Sequence, residues 1–182
     1  MMKKNFTIQE LCIIGLATAL ICVIAPFSLP MPLGIPMTLQ SFIITLIAII
    51  LGAKRGAAAT LIYILLGAFG LPVFSNFTGG WQCLIGPTGG FIISFPLMAY
   101  IIGLGAGMNG RHKSSLFRAI FLGTVLNFAC GIAMFCLVTE SSFIVGFTTC
   151  VLPFIPLTII KWILAYIIGI NVRKRITQII SK

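Results

Sequence analysis

Lys161 stands inside "PFIPLTIIKWILAY", residues 153–166, with apolar neighbours on both sides. An ammonium in hydrocarbon costs roughly 2.5–3.5 kcal/mol on insertion scales, so it needs a partner or a path to water. The chain has no aspartate, and its two glutamates are Glu10 and Glu140. Only Glu140 could approach the lysine, and helical rise puts it two or more turns away. The basic end of the same segment is roughly 15 Å from Lys161, farther than a snorkelling lysine reaches. Such a group deprotonates, hydrates or takes an acceptor from outside. A ligand with a carboxylate or a strongly polar carbonyl supplies that acceptor.

Two other features have spacings with chemical meaning. "GPTGG", residues 86–90, opens an apolar segment. A glycine-rich turn at a helix N-terminus presents N–H groups suited to an anion or carbonyl oxygen, or simply turns the chain tightly back into the membrane. It lacks the Lys-Ser/Thr pair of a nucleotide P-loop. Asn127 has Cys130 and Met134 at i+3 and i+7 on one helical face. It can donate to a ligand or join two helices by a hydrogen bond. Trp81, Trp162 and Tyr166 suit interface anchoring, and Trp81, in an outer loop, also suits stacking on a ligand ring.

Other chemistries are poorly served. The six cysteines have no C-x-x-C spacing, and five lie in apolar segments, where thiols act as small hydrophobes rather than metal or redox groups. His112, between Arg111 and Lys113, reads as solvated. "NFT" matches a glycosylation acceptor, a signal of low specificity. A Ser–His pair, an H-E-x-x-H site and a carboxylate relay are all missing, so neither catalysis nor ATP hydrolysis is expected, and no cofactor.

The elements that carry these residues follow from composition. The 182 residues are 59% hydrophobic and 8% charged, with a mean hydropathy of +1.18. That marks an integral membrane protein, a single transmembrane domain over residues 1–182. Apolar segments fall at 8–26, 37–52, 56–70, 90–107, 116–138 and 143–170, near the ~17–25 residues that cross hydrocarbon. An all-α six-helix bundle is expected; the alternation of a β-barrel is missing. The second and third segments are short enough to be shallow or tilted.

The net charge of +10 sits in short clusters between apolar runs, which speaks for membrane topology and against nucleic-acid binding. Lys3 and Lys4, then Lys54 and Arg55, then Arg111, Lys113 and Arg118, then Arg173, Lys174, Arg175 and Lys182 all fall on one side of a six-span chain. The positive-inside rule makes that side, with both termini, cytoplasmic. The first segment lacks an A-x-A-like cleavage site and reads as a retained helix. The opposite connections, 27–36, 71–89 and 139–142, contain no Lys or Arg. "PFSLPMPLGIP" and "LPVFSNFTGGWQCLIGPTGG" read as a folded lid over the outer face.

"GIPMTLQSF", "LGAKRGAAATLIYILLGAFGLPVFSNFTGG", "LIGPTGGFIISFPLMAYIIG" and "LPFIPLTIIKWILA" together resemble the BioY family over nearly the whole chain. These are biotin-specific substrate-binding (S) components of energy-coupling-factor (ECF) transporters of the bacterial cell membrane. The resemblance implies a six-helix fold with a vitamin pocket near the outer face, closed by the loops after the first and third helices. It implies a transmembrane T component and two ATPases as partners. The T component would contact small residues of the first helix, here Gly15, Ala17 and Ala19. It carries substrate contacts onto Asn76, Gly79, Gly80, Gly86, Thr88, Gly89, Gly90, Phe91 and Lys161, and onto Thr38 and Gln40. Trp81 and Asn127 join them from the reading of the residues.

One departure from the pattern bears on the ligand. The family's last helix reads Pro-x-Asp-x-x-Lys, and this chain has Pro156-Leu157-Thr158-Ile159-Ile160-Lys161. Thr158 offers a hydroxyl where a carboxylate would accept ureido N–H groups and neutralise the lysine. Biotin is the expected ligand. A biotin-like carboxylate such as lipoate is the alternative, and a ligand-free structural membrane subunit is a reading from another class.

Overall fold

The structure, a computed structural model, describes residues 7–29, 35–107 and 113–180. Lys3, Lys4, Arg111, His112 and Lys182 lie outside the described residues. Helix α1, Ile8–Ile24, starts on a capping box. The Glu10 N–H donates to Thr7 Oγ1 at 3.3 Å, and the Thr7 N–H donates to Glu10 Oε2 at 3.1 Å. Just beyond it stands Pro26, which cannot continue the ladder. Two short antiparallel strands follow, β1 (Ser28–Leu29) and β2 (Met37–Thr38). Then come α2 (Gln40–Leu51) and α3 (Ala53–Ala68), joined through Gly52 at φ +80°, a value that favours glycine.

The outer segment after α3 holds a 3₁₀ turn at Ser75–Phe77 and the short α4, Gln82–Ile85. Helices α5 (Gly89–Gly107), α6 (Lys113–Thr139), α7 (Phe143–Cys150) and α8 (Ile155–Ile180) complete the chain. Helices occupy most of each expected segment, with two differences: the segment 37–52 begins as strand β2 and turns helical only at Gln40, and the last segment is broken. Residues 143–170 are not one helix: α7 and α8 are separated by a 3₁₀ turn at Leu152–Phe154. Pro153 lies in that turn and Pro156 in the first turn of α8. Proline is tolerated in a first turn and breaks a helix interior, so the chain restarts there.

Apart from Lys161, the described basic residues gather at one end. Arg55 pairs with Glu10 at 2.5 Å, linking α3 to the start of α1. Arg173 of α8 donates to the Ile49 carbonyl in the last turn of α2 at 2.8 Å. The C-terminal part of α5 approaches Gly52 and Ala53 through Gly103, and Ala119 of α6 through Gly105. Lys54, Arg118, Lys174 and Arg175 are on these same helix ends. The β-strands, the Ser75–Phe77 turn and Glu140 are at the opposite end.

Ile21, Ile44, Tyr63, Met98, Ile102 and Ile120 form the buried centre. Leu16, Phe69, Leu137 and Ile144 face outward, each more than two-thirds exposed. An apolar exterior of this extent belongs in lipid, where helices satisfy their own backbone groups. Gly89–Gly107, Ser114–Thr139 and Phe143–Arg175 are long and apolar enough to cross a membrane. Helix α2 has 12 residues and α3 has 16.

Candidate functional site

A cavity of about 110 Å³ lies between α2, α5, α6 and α8 and beneath the outer loops. One water needs ~10–15 Å³ on the same measure, so the space suits a small molecule. Each wall is one face of one helix. Thr38, Ser41 and Thr45 come from β2 and α2; Thr88, Phe91, Ile92 and Phe95 from the start and outer half of α5. Thr124, Asn127 and Phe128 come from α6, and Thr158, Lys161 and Trp162 from α8. All follow the i, i+3, i+4, i+7 spacing that puts side chains on one helical face. Phe74, Ser75, Thr78 and Cys83 of the outer segment roof the space.

Lys161 is the single charged side chain lining the cavity among the described residues. Its Nζ donates to the Thr38 carbonyl at 2.5 Å and to Ser41 Oγ at 3.4 Å. No carboxylate reaches it among the described residues. The protein thus supplies two neutral oxygens to a group with three donors. The Thr38–Lys161 bond ties α8 to the strand that leads into α2. The ammonium, expected to deprotonate, hydrate or take an acceptor from outside, is therefore partly held by the protein, and no carboxylate among the described residues offsets its charge.

The remaining polar groups are also anchored. Asn127, 5% exposed, donates through Nδ2 to the Phe91 carbonyl at 2.9 Å and to Ser94 Oγ at 2.7 Å. It both joins α6 to α5 and lines the cavity. Gln40, 4% exposed, donates from Nε2 to Tyr63 Oη at 2.7 Å, and the tyrosine donates to the Val73 carbonyl at 3.1 Å. Trp162 Nε1 donates to Thr124 Oγ1 at 3.0 Å, closing α8 onto α6. The apolar lining includes Phe91 and Phe128, edge to face with centroids 6.1 Å apart.

Of the expected contact residues, Thr38, Gln40, Thr88, Phe91, Asn127, Thr158 and Lys161 line the cavity. Asn76, Gly79, Gly80, Trp81, Gly86, Gly89 and Gly90 do not. Asn76 instead clasps the two outer loops. Its Oδ1 accepts from Ser28 Oγ at 2.6 Å and its N–H donates to the Pro26 carbonyl at 3.0 Å, while Phe27 and Phe77 pack edge to face. The glycines serve close packing. A Cβ on Gly90 would overlap the Cys130 carbonyl and Met134, one on Gly89 the Leu84 carbonyl, and one on Gly79 the Leu71 carbonyl.

In the "GPTGG" turn the Gly89 N–H donates to the Gly86 carbonyl, and the Phe91 N–H that follows donates to the Thr88 carbonyl. Trp81 is 60% exposed. Trp162, expected as an interface anchor, is in the cavity wall. On α1, Gly15 and Ala19 face outward, but Ala17 is buried against the bundle at 4% exposure. Its place two residues from either puts it on the other side of the helix.

Ser41, Thr45, Ser75, Thr78, Thr124 and Trp162 are cavity residues that the sequence reading missed. The signal for two of them was present: Thr38-x-x-Ser41-x-x-x-Thr45 is a polar stripe at helical period in an apolar run.

Fold and site together define a membrane-embedded helical bundle with a loop-roofed, mostly apolar cavity that carries one ammonium. The BioY family model matches residues 1–178, and the chain belongs to the BioY family. It is 38% identical over 169 residues to the biotin transporter BioY of Thermotoga maritima, covering 91% of this chain and 96% of that one. It is 39% identical over 164 residues to the probable biotin transporter BioY of Pyrococcus horikoshii, covering 88% and 94%. It is 32% identical over 167 residues to biotin transporter BioY2 of Lactococcus lactis, covering 92% and 91%. Its fold matches the crystal structure of the S-component for biotin from an ECF-type ABC transporter, with TM-score 0.83 and 24% identity over 96% of this chain and 95% of that one.

Proposed function

We propose that this chain is the substrate-binding membrane subunit of a biotin uptake transporter. It captures biotin at the outer face of a bacterial plasma membrane and delivers it to the cytoplasm, acting as a carrier rather than an enzyme. A transmembrane T component and two ATPases supply the energy. The basic helix ends face the cytoplasm with both termini, so the loop-roofed end takes ligand from outside. The observation that carries this reading is the cavity itself: a loop-roofed, mostly apolar space with one ammonium, Lys161, and no carboxylate among the described residues that line it. A buried charge of that kind favours an acceptor oxygen brought by a ligand. The names of the curated relatives support biotin as that ligand.

Equilibrium binding of radiolabelled biotin and lipoate to the purified protein tests the proposal. Saturable biotin binding at or below micromolar concentration is expected. Lipoate binding without biotin binding would overturn it, as would failure of both.

A further inference from the structure

Two buried amides line the cavity, and the direction of each is fixed by chemistry rather than by assignment. The Phe91 carbonyl can only accept, so the Asn127 atom 2.9 Å from it must be the NH₂ group, whose second proton goes to Ser94 Oγ at 2.7 Å. The Val73 carbonyl likewise can only accept, so Tyr63 donates its single proton there at 3.1 Å. The tyrosine oxygen must therefore accept from Gln40, which turns the Gln40 NH₂ toward it at 2.7 Å. Asn127 spends both N–H donors into the protein and Gln40 spends one of its two, and each keeps a carbonyl oxygen. Neither Asn127 Oδ1 nor Gln40 Oε1 accepts a hydrogen bond from any described residue. Neither oxygen is among the enclosed, unpartnered atoms of the bundle, a state found only for Ser75 Oγ among the described residues. Each residue is at most 5% exposed and borders the cavity, so the open space its oxygen meets is the cavity.

We infer that Asn127 Oδ1 and Gln40 Oε1 are the specificity-determining acceptors of the site and read N–H donors on the ligand. This rests on the proposed capture of biotin and deepens it. A cyclic urea offers two N–H groups flanking one carbonyl oxygen; two anchored acceptors, with the Lys161 ammonium and the second Gln40 N–H as donors, are the complementary set. The chain provides these acceptors without any carboxylate in the cavity, and a ligand with no N–H leaves two buried oxygens unpaired. Sites built in this way discriminate strongly against analogues that lack the donor.

The test compares biotin, an N-methylated ureido biotin and lipoate on the intact protein and on Asn127→Leu and Gln40→Met. On the wild type, blocking the N–H is expected to weaken binding on the order of ten-fold or more. In each variant, biotin weakens while the N-methyl analogue changes less, so the ratio of the two dissociation constants falls toward one. Biotin and its N-methyl analogue binding the wild type equally would overturn the inference while leaving biotin capture intact. A ratio that stays at the wild-type value while both affinities fall would also overturn it, since that marks a purely structural amide. Should either variant fail to fold, the wild-type comparison decides alone. Lipoate bound in preference to biotin overturns both the inference and the proposed ligand.

Discussion

Lys161 concentrates the chemistry of this chain at one atom. Its ammonium is satisfied in part by Thr38 and Ser41, yet no acid offsets its charge. Lys161→Met replaces it with an apolar chain of similar length, which removes a costly desolvated charge from the folded state. Ligand affinity is expected to fall by roughly ten- to a hundred-fold, the range of a hydrogen bond to a charged group. Thermal stability without ligand is expected to hold or rise. Titration calorimetry and a melting curve on the same sample check both halves; unchanged affinity returns Lys161 to a structural role. This lysine was legible in the sequence because a charge inside an apolar run has few explanations. The hydroxyls were harder to see. A lone threonine such as Thr124 is common in transmembrane helices, and only the packing of α5 and α8 on its face gives it a place in the cavity.

Among the elements, the α5–α6 pair carries the most weight, since it holds both Asn127 and the outer half of the aromatic wall. Its closeness depends on Gly90, whose missing side chain lets the two backbones meet at Cys130. Gly90→Val is expected to destabilise the bundle by about 2 kcal/mol or more through overpacking, and to weaken ligand binding with it. Gly70→Ala, at φ +101° in the outer segment with open space around it, strains the backbone without prying helices apart. Melting of the two variants separates these effects: the Gly90 variant melts lower and the Gly70 variant keeps its affinity.

Element boundaries were legible where composition changes, at "GAKRGA" and at Pro26, and illegible within 143–170. That run reads as one apolar length, and the break at Pro153 and Pro156 is hidden because both flanks are equally apolar. The glycines of the outer segment are ambiguous for a related reason. A glycine that lets a backbone come close looks the same in sequence as one that cradles a ligand, and Gly79, Gly89 and Gly90 each stand where a Cβ would overlap a neighbouring carbonyl.

At the scale of the molecule, the cavity sits at the end opposite the basic helix termini, roofed by loops that Ser28 and Asn76 clasp together. Binding there couples four helices and two loops at once. Biotin at a hundred times its dissociation constant is expected to stabilise the folded state by about 2.7 kcal/mol, read as a raised melting temperature. A ligand-free structural subunit would give no such rise.

The 16 residues of α3 have a further consequence. At 1.5 Å per residue they span about 24 Å, some 6 Å less than a typical ~30 Å hydrocarbon slab. Leu61, Ile62 and Leu65 turn that short helix outward, so acyl chains on this flank must compress to meet it. The penalty is a fraction of a kcal/mol for each ångström of mismatch. Nanodiscs of short-chain lipid should therefore raise the melting temperature relative to long-chain ones, and membrane thickness becomes one of the variables that set how firmly this carrier stands.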